Sequence, residues 1–286
     1  MAEKLVLLIH CPDRPGLVAS VTSIIRRFHG NIVDLDQHVD AERGVFFMRV
    51  AWNPAAADAA SLDRFQQAFA AEVAQPCAMH WRLERASRRA RLGIFVSKYS
   101  HCLYDILARW EAGEWDVEIP LIISNHRDLE PVAHRHGLRF EHVPVTAATK
   151  ADAERRQLGL LREAGVDLVV LARYMQIVSP TFIEALGGNV INIHHSFLPA
   201  FAGGQPYDAA SARGVKIIGA TSHYVTADLD AGPIIAQDVV TVSHKDSVED
   251  MVRKGRDLEK IVLARAVYAH LMHQILVYDN RTVVFD

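Results

Sequence analysis

The stretch from residue 189 to residue 233 constrains this chain more than any other. Residues 190–193 read as a short buried strand, and the run meets polar groups at Asn192, His194, His195 and Ser196. A second apolar run, residues 217–225, carries His223 near its end. Asp230 follows in a tight Leu-Asp-Ala-Gly-Pro turn. In an open α/β sheet, ligands sit beyond the carboxyl ends of the strands. A strand ending in Asn-x-His therefore sets an amide and an imidazole where chemistry takes place.

Asn, His and Asp suit acyl-group chemistry. A carboxamide donates to a developing oxyanion, a contact worth ~10²–10³ in rate. Histidine titrates near neutrality and shuttles protons. A neighbouring carboxylate orients the ring and raises its pKa. No Ser or Cys sits on a nucleophile elbow, which favours direct attack by water or an amine. Taken singly, each residue also has a plain structural use: Asn192 in a tight turn, His194 as a part-buried histidine, His223 at a strand end.

The surrounding pattern sets the fold class. Strand-like runs at 92–97, 117–124, 140–145 and 168–172 alternate with helical stretches at 101–111, 129–136 and 151–164. Such alternation implies a mostly parallel, Rossmann-like α/β sheet covered on both faces. A short helix over 181–186 and a late strand over 234–241 follow. One long amphipathic helix is expected over 247–277, opened by Ser247 and Asp250 as a capping box, and a strand over 276–284 closes the chain. Residues 1–84 read differently: strand 4–11, turn 12–16, helix 17–29 with a glycine stop at Gly30, and strands 32–39 and 45–52. A helix over 61–73, capped by Ser61, and a strand over 77–83 complete a βαββαβ ferredoxin-like unit. Arg82, Arg85, Arg88, Arg89 and Arg91 crowd the junction and read as a solvated linker. The expected domains are 1–84, a linker at 85–90, and 91–286.

Composition excludes several classes. A net charge of −3 over 286 residues gives no general affinity for nucleic acid. No apolar run is long enough to span a bilayer, and the N-terminus reads as a first strand rather than a signal peptide. Three widely spaced cysteines argue against a disulfide framework and for a reducing cytoplasm. Fifteen histidines raise the question of zinc, but there is no HExxH and no CxxC, and no metal is expected.

Asn192-Ile193-His194, Ser196-Phe197-Leu198-Pro199 and Leu229-Asp230-Ala231-Gly232-Pro233 together resemble the folate-dependent formyltransferase and formyl-hydrolase superfamily. The segment from Leu171 to Pro180 matches too. The resemblance implies that Met175, Gln176, Ile177 and Val178 line a folate pocket. It also implies that Asn192, His194 and Asp230 are catalytic and that His223 supports the site. Asp13-Arg14-Pro15-Gly16-Leu17-Val18 resembles the signature of ACT domains, which implies an amino-acid effector and a homo-oligomer. The loop after the first strand of the second domain separates two branches. Transferases acting on phosphorylated amines carry glycines there, which bring backbone N–H groups onto a phosphate. Here no glycine occurs between Gly93 and Gly113. The pattern Ser97-Lys98-x-x-His101-Cys102-Leu103 resembles the hydrolase branch, whose members also carry an ACT-like domain. One departure is Gln205, where many members have Lys. The implied reaction is hydrolysis of 10-formyltetrahydrofolate to tetrahydrofolate and formate, without cofactor. It would supply formate for purine synthesis and balance the one-carbon folate pools. The alternative is formyl transfer to an amine.

Overall fold

The computed structural model describes residues 3–199 and 206–285. The chain divides into two compact units. The first comprises residues 1–88 together with 269–286, and the second residues 89–268.

In the first unit the elements run β1 (Leu5–Pro12), α1 (Leu17–Arg27), β2 (Asn31–Asp40), β3 (Val45–Asn53), α2 (Ala59–Phe69) and β4 (His80–Arg85). The sheet order is β2-β3-β1-β4 and every pairing is antiparallel. The βαββαβ unit is thus present, with local differences from the sequence reading. Asp58 rather than Ser61 caps α2, accepting from the Ser61 backbone N–H. A π turn over Ala70–Ala74 prolongs that helix and delays β4 to His80. At the end of α1 it is His29 that adopts the left-handed backbone, with φ 56°. Gly30 serves a different need: a Cβ there would lie 2.5 Å from the Trp52 ring. One face of the sheet buries Leu5, Leu7, Ile9, Met48 and Val50 against Val21, Ile25, Phe65 and Phe69 of the two helices.

The other face takes its cover from the end of the chain. β12 (Ile275–Tyr278) and β13 (Arg281–Val284) form an antiparallel hairpin. Leu276 and Phe285 pack there with Leu8, Val45 and Phe47. Arg49, 4% exposed, donates from Nε to the His273 carbonyl at 2.9 Å and pairs with Asp34. Residues 269–286 therefore belong with the first unit, whereas the sequence reading had run the second domain to residue 286. It had also drawn one strand over 276–284, where a hairpin stands.

The second unit holds β5 (Ala90–Val96), α3 (His101–Glu111), β6 (Val117–Ser124), α4 (Glu130–Arg135), β7 (Phe140–His142), α5 (Lys150–Glu163) and β8 (Leu168–Leu171). Next come α6 (Pro180–Ala185), β9 (Val190–His194), α7 (Pro206–Arg213), β10 (Ile217–Tyr224) and β11 (Ile234–Thr241). α8 (Val248–Leu271) follows and runs past the division between the units. The sheet order is β11-β10-β9-β8-β5-β6-β7. Five strands are parallel, and β10 and β11 close one edge antiparallel. Phe95, Leu121, Ile123, Val169 and Leu171 pack with Ala153 and Leu161 of α5 and Phe182 of α6. The alternate residues Ile94, Val96, Ile122 and Val170 are equally buried, so both faces are covered. The chain leaves β5 for β6 on one side and returns to β8 on the other. That reversal opens a crevice at the carboxyl ends of β5 and β8, where such sheets bind ligands. α8 opens with the expected capping box: Ser247 Oγ accepts from the Asp250 N–H at 3.1 Å, and Asp250 Oδ2 accepts from the Ser247 N–H at 3.1 Å. It ends at Leu271, short of the expected 277, because His273 turns left-handed with φ 51°.

Candidate active site

β9 and β10 pair with His223 opposite Asn192 and Thr221 opposite His194. Opposed residues share a face, as do residues two apart on one strand. Asn192, His194 and His223 are therefore brought to one side. His223 Nδ1 donates to the Tyr224 carbonyl at 2.9 Å. Its Nε2 then accepts, in the neutral ring, from Asn192 Nδ2 at 3.3 Å. A carboxamide has two N–H donors, so the second stays available to a ligand. On the other side of β10, the pairing with β11 skips a residue between Ser222 and His223. Bulges of this kind re-aim side chains at site edges.

Asp230 reaches the same spot from the turn after β10. Its backbone is left-handed, with φ 55°. Gly232 is pressed onto the end of β10: a Cβ there would lie 1.8 Å from the Tyr224 carbonyl oxygen. The Tyr224 N–H donates to the Pro233 carbonyl at 3.0 Å and locks the turn down. Asp230 Oδ2 then lies 3.3 Å from His194 Nδ1, and Oδ1 lies 3.7 Å from His223 Nε2. The proximity of His194 first, and of His223 second, holds the Asp230 carboxyl well below the usual carboxylate range, against the opposing effect of burial.

His194 is 6% exposed, and its Nε2 has no hydrogen-bond partner among the described residues. With Nδ1 engaged by Asp230, Nε2 is the atom free to meet a substrate. His195 lies beside it, ring centroids 5.2 Å apart. Burial, then the charge of Arg173, pushes the His195 imidazole down to about 4, which keeps it neutral at pH 7.

Two loops at the carboxyl ends of β5 and β8 complete the crevice. Ser97 Oγ accepts from the Met175 N–H at 3.0 Å and donates to Asn125 Oδ1 at 2.6 Å, tying together the ends of β5, β6 and β8. Tyr174 turns into the core, where Gln157 Nε2 donates to its hydroxyl at 3.0 Å. Met175 and Ile177 are exposed at 48% and 59% and present an apolar surface beside the crevice. Gln176 is half-buried. Val178 points its side chain into the core, so only its backbone is open to a ligand. Gln205 lies outside the described residues.

His101 Nε2, Cys102 Sγ and a carboxylate oxygen of Glu259 lie within 4.8 Å of one another, a grouping that neither HExxH nor CxxC would signal. Arg173 Nε stands 3.3 Å from the same carboxylate, and burial holds the Cys102 thiol well above its ordinary value. A guanidinium and a protonated thiol suit a buried ion pair better than a divalent cation. Sequence reading placed Ser97 and Arg173 in matching segments without a role of their own and passed over Asn125 and Glu259. Their roles depend on contacts between residues 28 to 158 positions apart, which no local spacing announces.

The formyl transferase family model matches residues 90–267, and the ACT domain model matches residues 5–51. A formyltetrahydrofolate deformylase of Synechocystis is 52% identical over 280 residues, covering 98% of this chain and 97% of the relative. The chain belongs to the formyltetrahydrofolate deformylase family. The Escherichia coli deformylase is 42% identical, over 99% of this chain and 98% of its own length. The crystal structure of a deformylase from Pseudomonas syringae superposes with a TM-score of 0.94 at 47% identity, covering 100% of this chain and 95% of that one. A phosphoribosylglycinamide formyltransferase from Anaplasma phagocytophilum aligns with only 70% of this chain, at 30% identity and a TM-score of 0.64. Likeness to the deformylases thus runs the whole length of the chain, and likeness to that transferase covers part of it.

Proposed function

We propose that the chain hydrolyses 10-formyltetrahydrofolate to tetrahydrofolate and formate. The observation that carries this reading is the contact between Asp230 and His194 Nδ1, which leaves His194 Nε2 unpaired on the strand face that also carries Asn192. Water adds to the formyl carbon, and the free N–H of Asn192 donates to the oxyanion that develops. Asp230 orients the water and holds His194. His194 carries the proton to N10 as the C–N bond breaks, and in its protonated form it also stabilises the oxyanion. His223 keeps Asn192 in register. The loop at 171–180 offers Met175, Gln176 and Ile177, with the Val178 backbone, to the pterin. No cofactor or metal enters these steps.

Formyl transfer to an amine would use the same trio, since both reactions pass through a tetrahedral adduct. The loop between β5 and α3 favours water, because it has no glycine to bring backbone N–H groups onto a phosphate, and Tyr99 in it packs against the guanidinium groups of Arg173 and Arg256 at 5.2 and 5.4 Å. The test is formate release from 10-formyltetrahydrofolate with and without phosphorylated amines. Equal release in both supports hydrolysis. Formate withheld until an amine is added, with the formyl group recovered on that amine, replaces this reading with transfer.

The wider role follows from the products. The formate released feeds purine synthesis, and formyl-folate returns to the tetrahydrofolate pool. Three free cysteines suit a reducing cytoplasm. Among the described residues no helix is long and apolar enough to cross a membrane. The exposed loop from Asp13 to Gly16 is the proposed seat of an amino-acid effector. The edge strand β2, with Val33 and Leu35 exposed at 47% and 36%, is the proposed contact between copies.

A further inference from the structure

Glu259 lies on α8 and is 1% exposed. A carboxylate so deeply buried persists only when it is paired and hydrogen-bonded. Its partners come from three separate segments. His101 Nε2 lies 2.7 Å from Oε2, the Tyr207 hydroxyl donates to Oε1 at 3.0 Å, and Arg173 Nε lies 3.3 Å from Oε2. Burial pushes the carboxyl up, but His101 and then Arg173 more than offset it, so the group is held below its ordinary value.

Each partner belongs to a different segment of the second unit. His101 opens α3 directly after the loop that follows β5. Tyr207 opens α7, beyond the loop that follows β9. Arg173 sits in the loop after β8, with φ 64°, a backbone region that a side chain of this size rarely occupies. From that residue Tyr174 turns into the core and Met175 turns outward. The place where the guanidinium is anchored therefore decides where Met175, Gln176 and Ile177 are presented. His195, beside the catalytic imidazole, feels the charges of both Arg173 and Glu259.

We propose that Glu259 is a positioning residue for the formyl-folate site: its one carboxylate clamps the segments carrying His101, Arg173 and Tyr207 into the arrangement that receives the substrate. The inference rests on the hydrolysis reading for the identity of that substrate. Glu259 acts chiefly through Arg173, whose buried guanidinium has no other carboxylate partner among the described residues.

The test is a cycle of Glu259→Gln, Arg173→Gln and the double variant, with melting followed by circular dichroism. Glutamine keeps the shape and an acceptor for Tyr207 but removes the charge. The KM for 10-formyltetrahydrofolate should rise about tenfold or more in each single variant, with kcat falling far less. Affinity for tetrahydrofolate, measured by calorimetry, should weaken by the same factor. The double variant should be no worse than either single, since the two residues act as one unit. It also buries no lone charge, so it stays folded even where a single variant does not. An unchanged KM and tetrahydrofolate affinity in folded variants would overturn the proposal. So would effects that multiply in the double variant, or a lowered melting temperature with parental KM. Should even the parent release no formate, the hydrolysis reading fails, and tetrahydrofolate affinity still decides the clamp.

Discussion

At the scale of single residues, the proposed mechanism divides labour between two imidazole nitrogens and two amide hydrogens. Asp230 takes His194 Nδ1 and leaves Nε2 to the substrate; His223 takes one Asn192 hydrogen and leaves the other. Replacing Asp230 with Asn keeps the shape but removes the charge that holds His194 and the water. Turnover should drop by at least about 10²-fold while tetrahydrofolate affinity stays within about an order of magnitude. Single-turnover formate release together with calorimetry checks this, and more than a tenth of the parental rate would remove Asp230 from the catalytic set. Asp230 is depressed far enough to stay ionised throughout ordinary working conditions. An acid limb in the pH–rate profile would therefore report another group.

At the scale of elements, the turn at 229–233 shows how little freedom the chain leaves this carboxylate. Gly232→Ala would drive a methyl group into the Tyr224 carbonyl, 1.8 Å away, and the turn must lift off β10. A displacement of about 1 Å at Asp230 should cost about 10²-fold in kcat, with the fold retained. Parental kcat in this variant would mean that the turn does not set the catalytic geometry. The elements also show what was legible in the sequence. β10, β11 and the capping box at Ser247 and Asp250 were readable because their signals are local. That Asn192, His194 and Asp230 come together was readable because Asn192 and His194 are two apart and Asp230 sits in a marked turn. Other features were hidden by residues that carry an unmarked duty. His29 and His273 take left-handed turns that glycine usually signals, so the first stop was assigned to Gly30 and the end of α8 was missed. Val178 reads as a pocket residue, and the packing of its side chain into the core was not legible. Nothing local in the sequence marks Glu259; only tertiary packing buries it.

At the scale of the molecule, neutral imidazoles are buried or half-buried in both units. His195, His270 and His273 are each pushed down to about 4, in every case by burial first and by nearby positive charge second. An unfolded histidine titrates near 6.5. Between about pH 6.5 and pH 4 the unfolded chain takes up protons that the native protein refuses, so stability falls as the pH is lowered through that window. Below it, the depressed carboxyls of Asp230 and Glu259 continue the loss as they are protonated in turn. Urea midpoints measured from pH 7.5 to pH 4.5 should decline steadily over the lower two units. A flat profile would show that these rings are not held neutral.

The hairpin of β12 and β13 has a consequence for the order in which the protein is made. A ribosome delivers residues 1–88 first, yet Leu8, Val45 and Phe47 find their partners Leu276 and Phe285 only when the last segment emerges. The second unit, encoded in between, has all its strands in hand before the first unit can close its outer face. The earliest part of the chain to appear is thus the last to be finished, and through most of synthesis it carries an open apolar sheet face, the kind of surface that invites chaperones or premature association.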